Sequence, residues 1–332
     1  MKREPTYSDA LKAGWQLAWH HKSLWIFGFF AAFLGQMGIV EFLAKTSFGA
    51  TYLRAPSFFV YVWNFFAEVP ITTIGQALNL TADKWVWLIW LLVIFIGFAL
   101  MFLFVSVVSQ GAIVHSAGRF IEKKGKKFES TSMSWDVGRK HFWRLLGLNI
   151  LRKVILISFV SFVAWGMINA LIEPSGGDIF LFFVLFLLAI VVGMMLSFLL
   201  VYAVGYVVLE EYSFVKSIRS AWRLFTDHWF VSLEIGFVFI VLNILFVVLL
   251  LIGMYLLFLP SLVMWTTAFL IQSTALYVAG IFLGFILFVP YVVFLGSLFN
   301  VFTTSTWTYL FAKMHKQGVV SHLVHLFHGV KK

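Results

Sequence analysis

The chain has 332 residues and a formal net charge of +10, is 62% hydrophobic but only 11% charged, and has a mean hydropathy of +0.97. Soluble domains run at about 45–50% apolar and about 25% charged, so this composition excludes a soluble globule and assigns an integral membrane protein. Cysteine is absent, which removes disulfides, thiolate metal sites and cysteine nucleophiles, and the basic residues sit at the ends of apolar runs rather than in a patch suited to nucleic acid.

The N-terminus, MKREPTYSD, is short and basic. Pro5 stops any earlier helix, and Ser8 or Asp9 can cap an amphipathic helix running to His21. An apolar run from Ser23 to about Leu43 follows, long enough for one crossing. Residues 45–84 are mixed and read as an extramembrane loop, whose aromatic island FFVYVWNFF lies at the far interface. Trp85 to Val114 is the second crossing, and it leaves the membrane at Gly118-Arg119 into the charged run IEKKGKKFE. A second amphipathic helix begins at Ser130, with crossings over about 145–172 and 179–209 around the turn EPSGGD, and Glu210-Glu211 end it. The third begins at Ser213, crosses from Val231 to Phe258, and is expected to break at Pro260. Residues 262–276 are expected to form an interfacial or re-entrant piece. The sixth helix then covers about 278–312, kinked at Pro290, before a basic amphipathic tail over 313–332.

The leading helices share a pattern. Trp15, Trp135 and Trp222 are each followed six residues later by a histidine: His21, His141 and His228. Behind them, Ala10, Gly14, Leu17 and His21 fall on one helical stripe, as do Ser130, Ser134, Val137 and His141, and Ser217, Ala221, Leu224 and His228. Polar side chains gather on one flank and apolar ones on the other, with the tryptophan at the margin, where an amphipathic ring prefers the headgroup level. Such helices lie in the interface. The fold class is therefore all-α integral membrane: six transmembrane helices as three hairpins, each preceded by a cytoplasmic interfacial amphipathic helix. The chain reads as a single polytopic domain with parallel units at about 8–119, 128–211 and 213–312. All lysines and arginines except Lys45, Arg54 and Lys84 fall on one side of this topology, which places both termini in the cytoplasm.

Chemistry-bearing residues are sparse. His21, His141 and His228 converging on a common axis would resemble a three-imidazole zinc site. No acceptor that would orient the rings recurs with them, so they read as interfacial, with Trp15, Trp135 and Trp222 as lipid-facing companions. No metal or cofactor is assigned. In the tail, His322, His325 and His328 share a broad helical face that reads as interfacial, and His115 reads as a boundary residue. Glu41 and Glu234 lie near the ends of apolar runs. The intramembrane amides Gln110, Asn149, Asn169, Asn243, Gln272 and Asn300, with Thr303, Thr304, Ser305 and Thr306, suit interhelical hydrogen bonds. Gln110, Asn149, Asn243 and Asn300 are the candidates for a polar path. Asn79-Leu80-Thr81 is a sequon on the outer loop. No phosphate loop, dinucleotide fingerprint, HExxH or nucleophile elbow is present.

The run ALKAGWQLAWHHKSLWIFGFFAAFLG, echoed by SIRSAWRLFTDHW, resembles the membrane domain of the glycerophosphoryl diester phosphodiesterase family and related six-helix prokaryotic membrane proteins. In the full-length enzymes that domain precedes a soluble catalytic barrel, to which nothing here corresponds. The resemblance therefore implies a membrane module without the phosphodiesterase activity, and no catalytic residue is carried over. The expected function is a non-enzymatic anchoring, lipid-interacting or scaffold module of a prokaryotic plasma membrane, with membrane lipids as partners. The alternatives are a transporter or channel for a small solute or lipid, and a membrane-embedded lipid-modifying enzyme.

Overall fold

The computed structural model describes residues 7–34, 82–122, 130–172 and 176–317. Among the described residues there are nine α-helices and no strands: α1 (Tyr7–His20), α2 (Leu24–Ala32), α3 (Ala82–Glu122), α4 (Thr131–Lys140), α5 (Phe142–Ile172), α6 (Gly176–Leu209), α7 (Phe214–Asp227), α8 (Trp229–Leu270) and α9 (Thr274–Gln317). Helix is what an apolar chain must form in lipid, where each backbone group needs a partner within its own segment. Five helices, α3, α5, α6, α8 and α9, are long and apolar enough to cross a membrane. The expected first crossing is described only over α2; its continuation, the aromatic island, the sequon, Glu41, the run 123–129 and the tail histidines lie outside the described residues.

Two expectations are corrected. The helix does not end at Pro260 but continues through it to Leu270, and no separate interfacial or re-entrant piece occupies 262–276. Ile271–Ser273 form a tight turn, and α9 starts at Thr274 rather than near 278. The proline removes one donor, while the surrounding hydrogen bonds persist because no water competes for them in an apolar setting. The turn is closed by the Ser273 N–H donating to the Ala268 carbonyl at 3.0 Å, with Gln272 in the left-handed region at φ 52°.

The chain divides into two compact units. The first comprises Met1–Leu34, Ser106–Val154 and Met195–Lys332. Its centre is made of helix segments buried on every side, 106–118 of α3 and 202–208 of α6, and of 300–311 of α9, buried at all but two positions. Around them pack the short helices and the starts of the long ones, in a regular order. α1 and α2 lie on α9: Trp15 meets Phe302 edge-on at 5.8 Å, and a side chain at Gly14 or Gly28 would collide with Thr306 or with the Ser297 carbonyl. α4 and the start of α5 lie on α3, where Gly138 sits against the Val108 carbonyl and Gly111 against Leu145. α7 and the start of α8 lie on α6, where Phe225 stacks on Phe198 at 6.0 Å and Gly236 faces the same ring.

The second unit comprises Gly35–Val105 and Ile155–Met194. Among its described residues a cluster forms about Val163 and Ala189, with Phe159, Val160, Phe182, Leu185, Phe186 and Ile190 packed about them. Much of the rest is exposed apolar surface, including Ile89, Trp90, Ile94 and Phe95 on α3. Apolar surface on this scale is unsuited to water and matches contact with lipid.

Candidate functional site

The three histidines occupy similar backbone positions. Each N–H donates to the aliphatic residue of its stripe: His21 to Leu17 (3.2 Å), His141 to Val137 (3.2 Å) and His228 to Leu224 (3.1 Å). Each carbonyl accepts from the next helix: from Leu24 (2.9 Å), Leu145 (3.1 Å) and Ser232 (3.0 Å). Each histidine is thus the elbow between a short helix and the helix that follows. The stripes face inward: Ala10, Gly14 and Leu17, Ser134 and His141, and Ser217, Ala221 and Leu224 are buried, whereas Ser130 is exposed and Val137, His21 and His228 are partly buried. Trp15 and Trp222 are 49% and 48% exposed, half in and half out. Trp135 is more covered and stacks on Phe27 at 5.9 Å.

Similar backbones carry rings in different surroundings. His141 is buried, and neither ring nitrogen has a hydrogen-bond partner. Burial, then the Arg144 and Lys140 cations, hold its pKa below the ordinary histidine value, opposed by Glu211. His21 packs edge-on against Phe120 at 5.8 Å, and its pKa is lowered by burial and by His20. The His228 Nδ1 is buried without a partner. Among the described residues no three of His, Asp or Glu gather as metal ligands.

The candidate polar path separates into different places. Asn149 Nδ2 donates to Gln110 Oε1 at 2.8 Å, tying α5 to α3. Asn300 Nδ2 donates to the Gly28 carbonyl at 3.0 Å, tying α9 to α2, and Asn300 Oδ1 accepts from Thr304 at 3.1 Å. Asn243 turns back on its own helix, donating to the Phe239 carbonyl at 2.7 Å. The joint between α8 and α6 uses no amide. Ser232 gives its proton to the His228 carbonyl (3.0 Å), so the Tyr202 hydroxyl donates to Ser232 Oγ at 2.7 Å. Each joint therefore has at least one buried polar tie, and the residue pairs differ from joint to joint.

Where α3, α6 and α9 finish, the first unit holds a cavity of about 480 Å³. Its polar lining is His115, Arg119 and Glu122 from α3, Glu210 and Glu211 just after α6, and Lys313 from α9; its apolar wall includes Val208, Leu209 and Phe311. The His115 side chain is buried, with Nδ1 3.3 Å from Ser134 Oγ, which also accepts from Ser116 at 2.8 Å. Arg119 pairs with Glu122 at 3.3 Å, Glu210 with His315 at 3.5 Å, and Glu211 with Lys140 at 2.7 Å. Lys140, through both hydrogen bond and charge, holds the Glu211 carboxyl below its ordinary pKa. Glu211 has φ 54°, and Arg144 Nη1 donates to its carbonyl at 3.2 Å and to that of Tyr212 at 3.3 Å. Sequence reasoning passed over this cluster because its members are scattered; the one local signal was Glu210-Glu211, the chain's only adjacent pair of acids, on a side otherwise rich in lysine and arginine.

Comparison with protein-family models, with curated proteins and with solved structures gives no match to this chain. The resemblance drawn from the tryptophan motif therefore rests on that motif alone.

Proposed function

We propose that the chain is a non-enzymatic module of a prokaryotic plasma membrane that binds lipid along its short helices. In this reading α1, α4 and α7 lie at the cytoplasmic interface, and each leads into a pair of crossings. The three units close head to tail, the leading helix and first crossing of each packing on the returning helix of the one before. The shared histidine elbow and the order of the joints, α1–α2 on α9, α4–α5 on α3 and α7–α8 on α6, support that arrangement. The observation that carries the lipid role is the half exposure of Trp15 and Trp222 on helices whose other face is buried. Exposed Lys12, Lys22, Lys216, Arg219 and Arg223 accompany them, the composition that holds anionic headgroups.

Because the chain contains no cysteine, single-cysteine probes test this directly. Spin labels at Trp15→Cys and Trp222→Cys are expected at headgroup depth, and an impermeant thiol reagent is expected to reach Lys12→Cys and Lys216→Cys from the same, cytoplasmic side. Labels deep in the hydrocarbon or in bulk water, or accessibility from opposite sides, would sink the proposal.

A further inference from the structure

We propose that the cavity at the ends of α3, α6 and α9 binds an amphipathic zwitterion, a molecule carrying an ammonium and a carboxylate or phosphate on an apolar stem. The proposal is independent of the lipid contact made by the tryptophans. At about 480 Å³ the cavity falls within the roughly 300–1,000 Å³ usual for small-ligand sites. Its charges select the ligand. The lining residues lie in the last turns of α3 and α6, just after α6 and near the end of α9, where the helix dipoles favour positive charge. Glu122, Glu210 and Glu211 add three carboxylates. A simple anion meets repulsion there and an ammonium is favoured. Arg119 and Lys313 on the same lining repel a simple cation and offer donors to a carboxylate or phosphate. Only a ligand carrying both charges is complementary to both sets, and like-charge clashes reject the single-charge competitors. Val208, Leu209 and Phe311 supply a wall for the apolar stem.

A second feature points to the same wall. Glu211 is held at φ 54°, a conformation that a non-glycine side chain adopts only when its surroundings enforce it. The enforcing groups are Arg144 on the Glu211 and Tyr212 carbonyls and Lys140 on the carboxylate. The strain fixes an acidic side chain at the cavity mouth. A glycine there would relieve the strain and leave no carboxylate.

The zwitterion has two sources, a free small molecule or the headgroup of a zwitterionic phospholipid, and two arms separate them. In the first, the full chain in phosphatidylglycerol nanodiscs is titrated calorimetrically with L-leucine, 4-methylpentanoate and isopentylamine. In the second, the chain is taken from membranes of mixed phosphatidylethanolamine and phosphatidylglycerol, and retained lipid is counted by native mass spectrometry. Saturable leucine binding, with both single-charge analogues at least 10-fold weaker, assigns a free ligand. At least 10-fold preferential retention of phosphatidylethanolamine assigns a lipid. In the arm that responds, Arg119→Gln and Glu211→Gln each weaken binding at least 10-fold without lowering Tm. Glu211→Gly loses binding while Tm rises, which separates the site from folding. The proposal is overturned if neither probe binds, if a single-charge analogue binds as well as leucine, or if the variants bind like the unaltered protein.

Discussion

The two units hold their helices together by different means. In the first, glycines let backbones approach until a Cβ would collide, and buried polar ties secure the joints, among them Gln110 with Asn149, Asn300 with the Gly28 carbonyl and Tyr202 with Ser232. In the second, phenylalanine and aliphatic side chains gather around Val163 and Ala189, and apolar surface remains exposed. Lipid tails are as apolar as leucine, so greasy contact alone gives helices little reason to prefer one another over the bilayer. Close approach and hydrogen bonding supply that preference, and among the described residues the glycine collisions are concentrated in the first unit. The glycine, joint and elbow geometry described above belongs to that unit as well.

Glycine substitutions give the largest test of this contrast. Gly138→Leu and Gly14→Leu drive side chains into the Val108 carbonyl and Thr306, and each is expected to cost on the order of 3 kcal/mol. Gly97→Leu, with nothing within 4 Å of its Cβ, is expected to change stability by less than about 0.5 kcal/mol. Thermal unfolding in micelles measures all three, and equal losses at Gly97 and Gly138 would erase the distinction. A smaller effect is expected at the polar ties. Asn149→Leu leaves the Gln110 carbonyl oxygen buried without its donor and is expected to cost about 1–3 kcal/mol. The double change Gln110→Leu with Asn149→Leu should recover part of that loss; a strictly additive pair would mean that the tie holds nothing.

The smallest effect sharpens the elbows. The native pKa of His141 is lowered by burial and by Arg144 and Lys140, so the unfolded chain takes up this proton more readily than the folded one. Stability on this account is full at neutral pH and declines as pH falls through the ordinary histidine range near about 6.5. His141→Phe should flatten that decline in a Tm-against-pH series, and an unchanged slope would show that another group titrates.

The repeated Trp-to-His spacing was legible in the sequence because the same local task, joining a short helix to the one that follows, is done three times with a tryptophan and a histidine. Each tie was not, because a glycine carbonyl with Asn300, Gln110 with Asn149, and Tyr202 with Ser232 follow no common spacing or residue pattern. Proline misled for a related reason. Pro260 read as a stop in a water-based account, yet α8 runs through it. The cavity was invisible for the plainest reason: residues 115–122, 210–211 and 313 come together only when three returning helices finish at one place.

By itself the sequence determined that the chain is apolar, helical and suited to a membrane, and that three short helices end in a histidine, because composition and periodicity are local properties of the chain. Only the tertiary structure decided which long helix each short helix packs against, which amides pair, and that opposite charges from three helix ends line one cavity. Those choices depend on contacts between residues as much as 272 positions apart, whose energy is realised only after the helices have met.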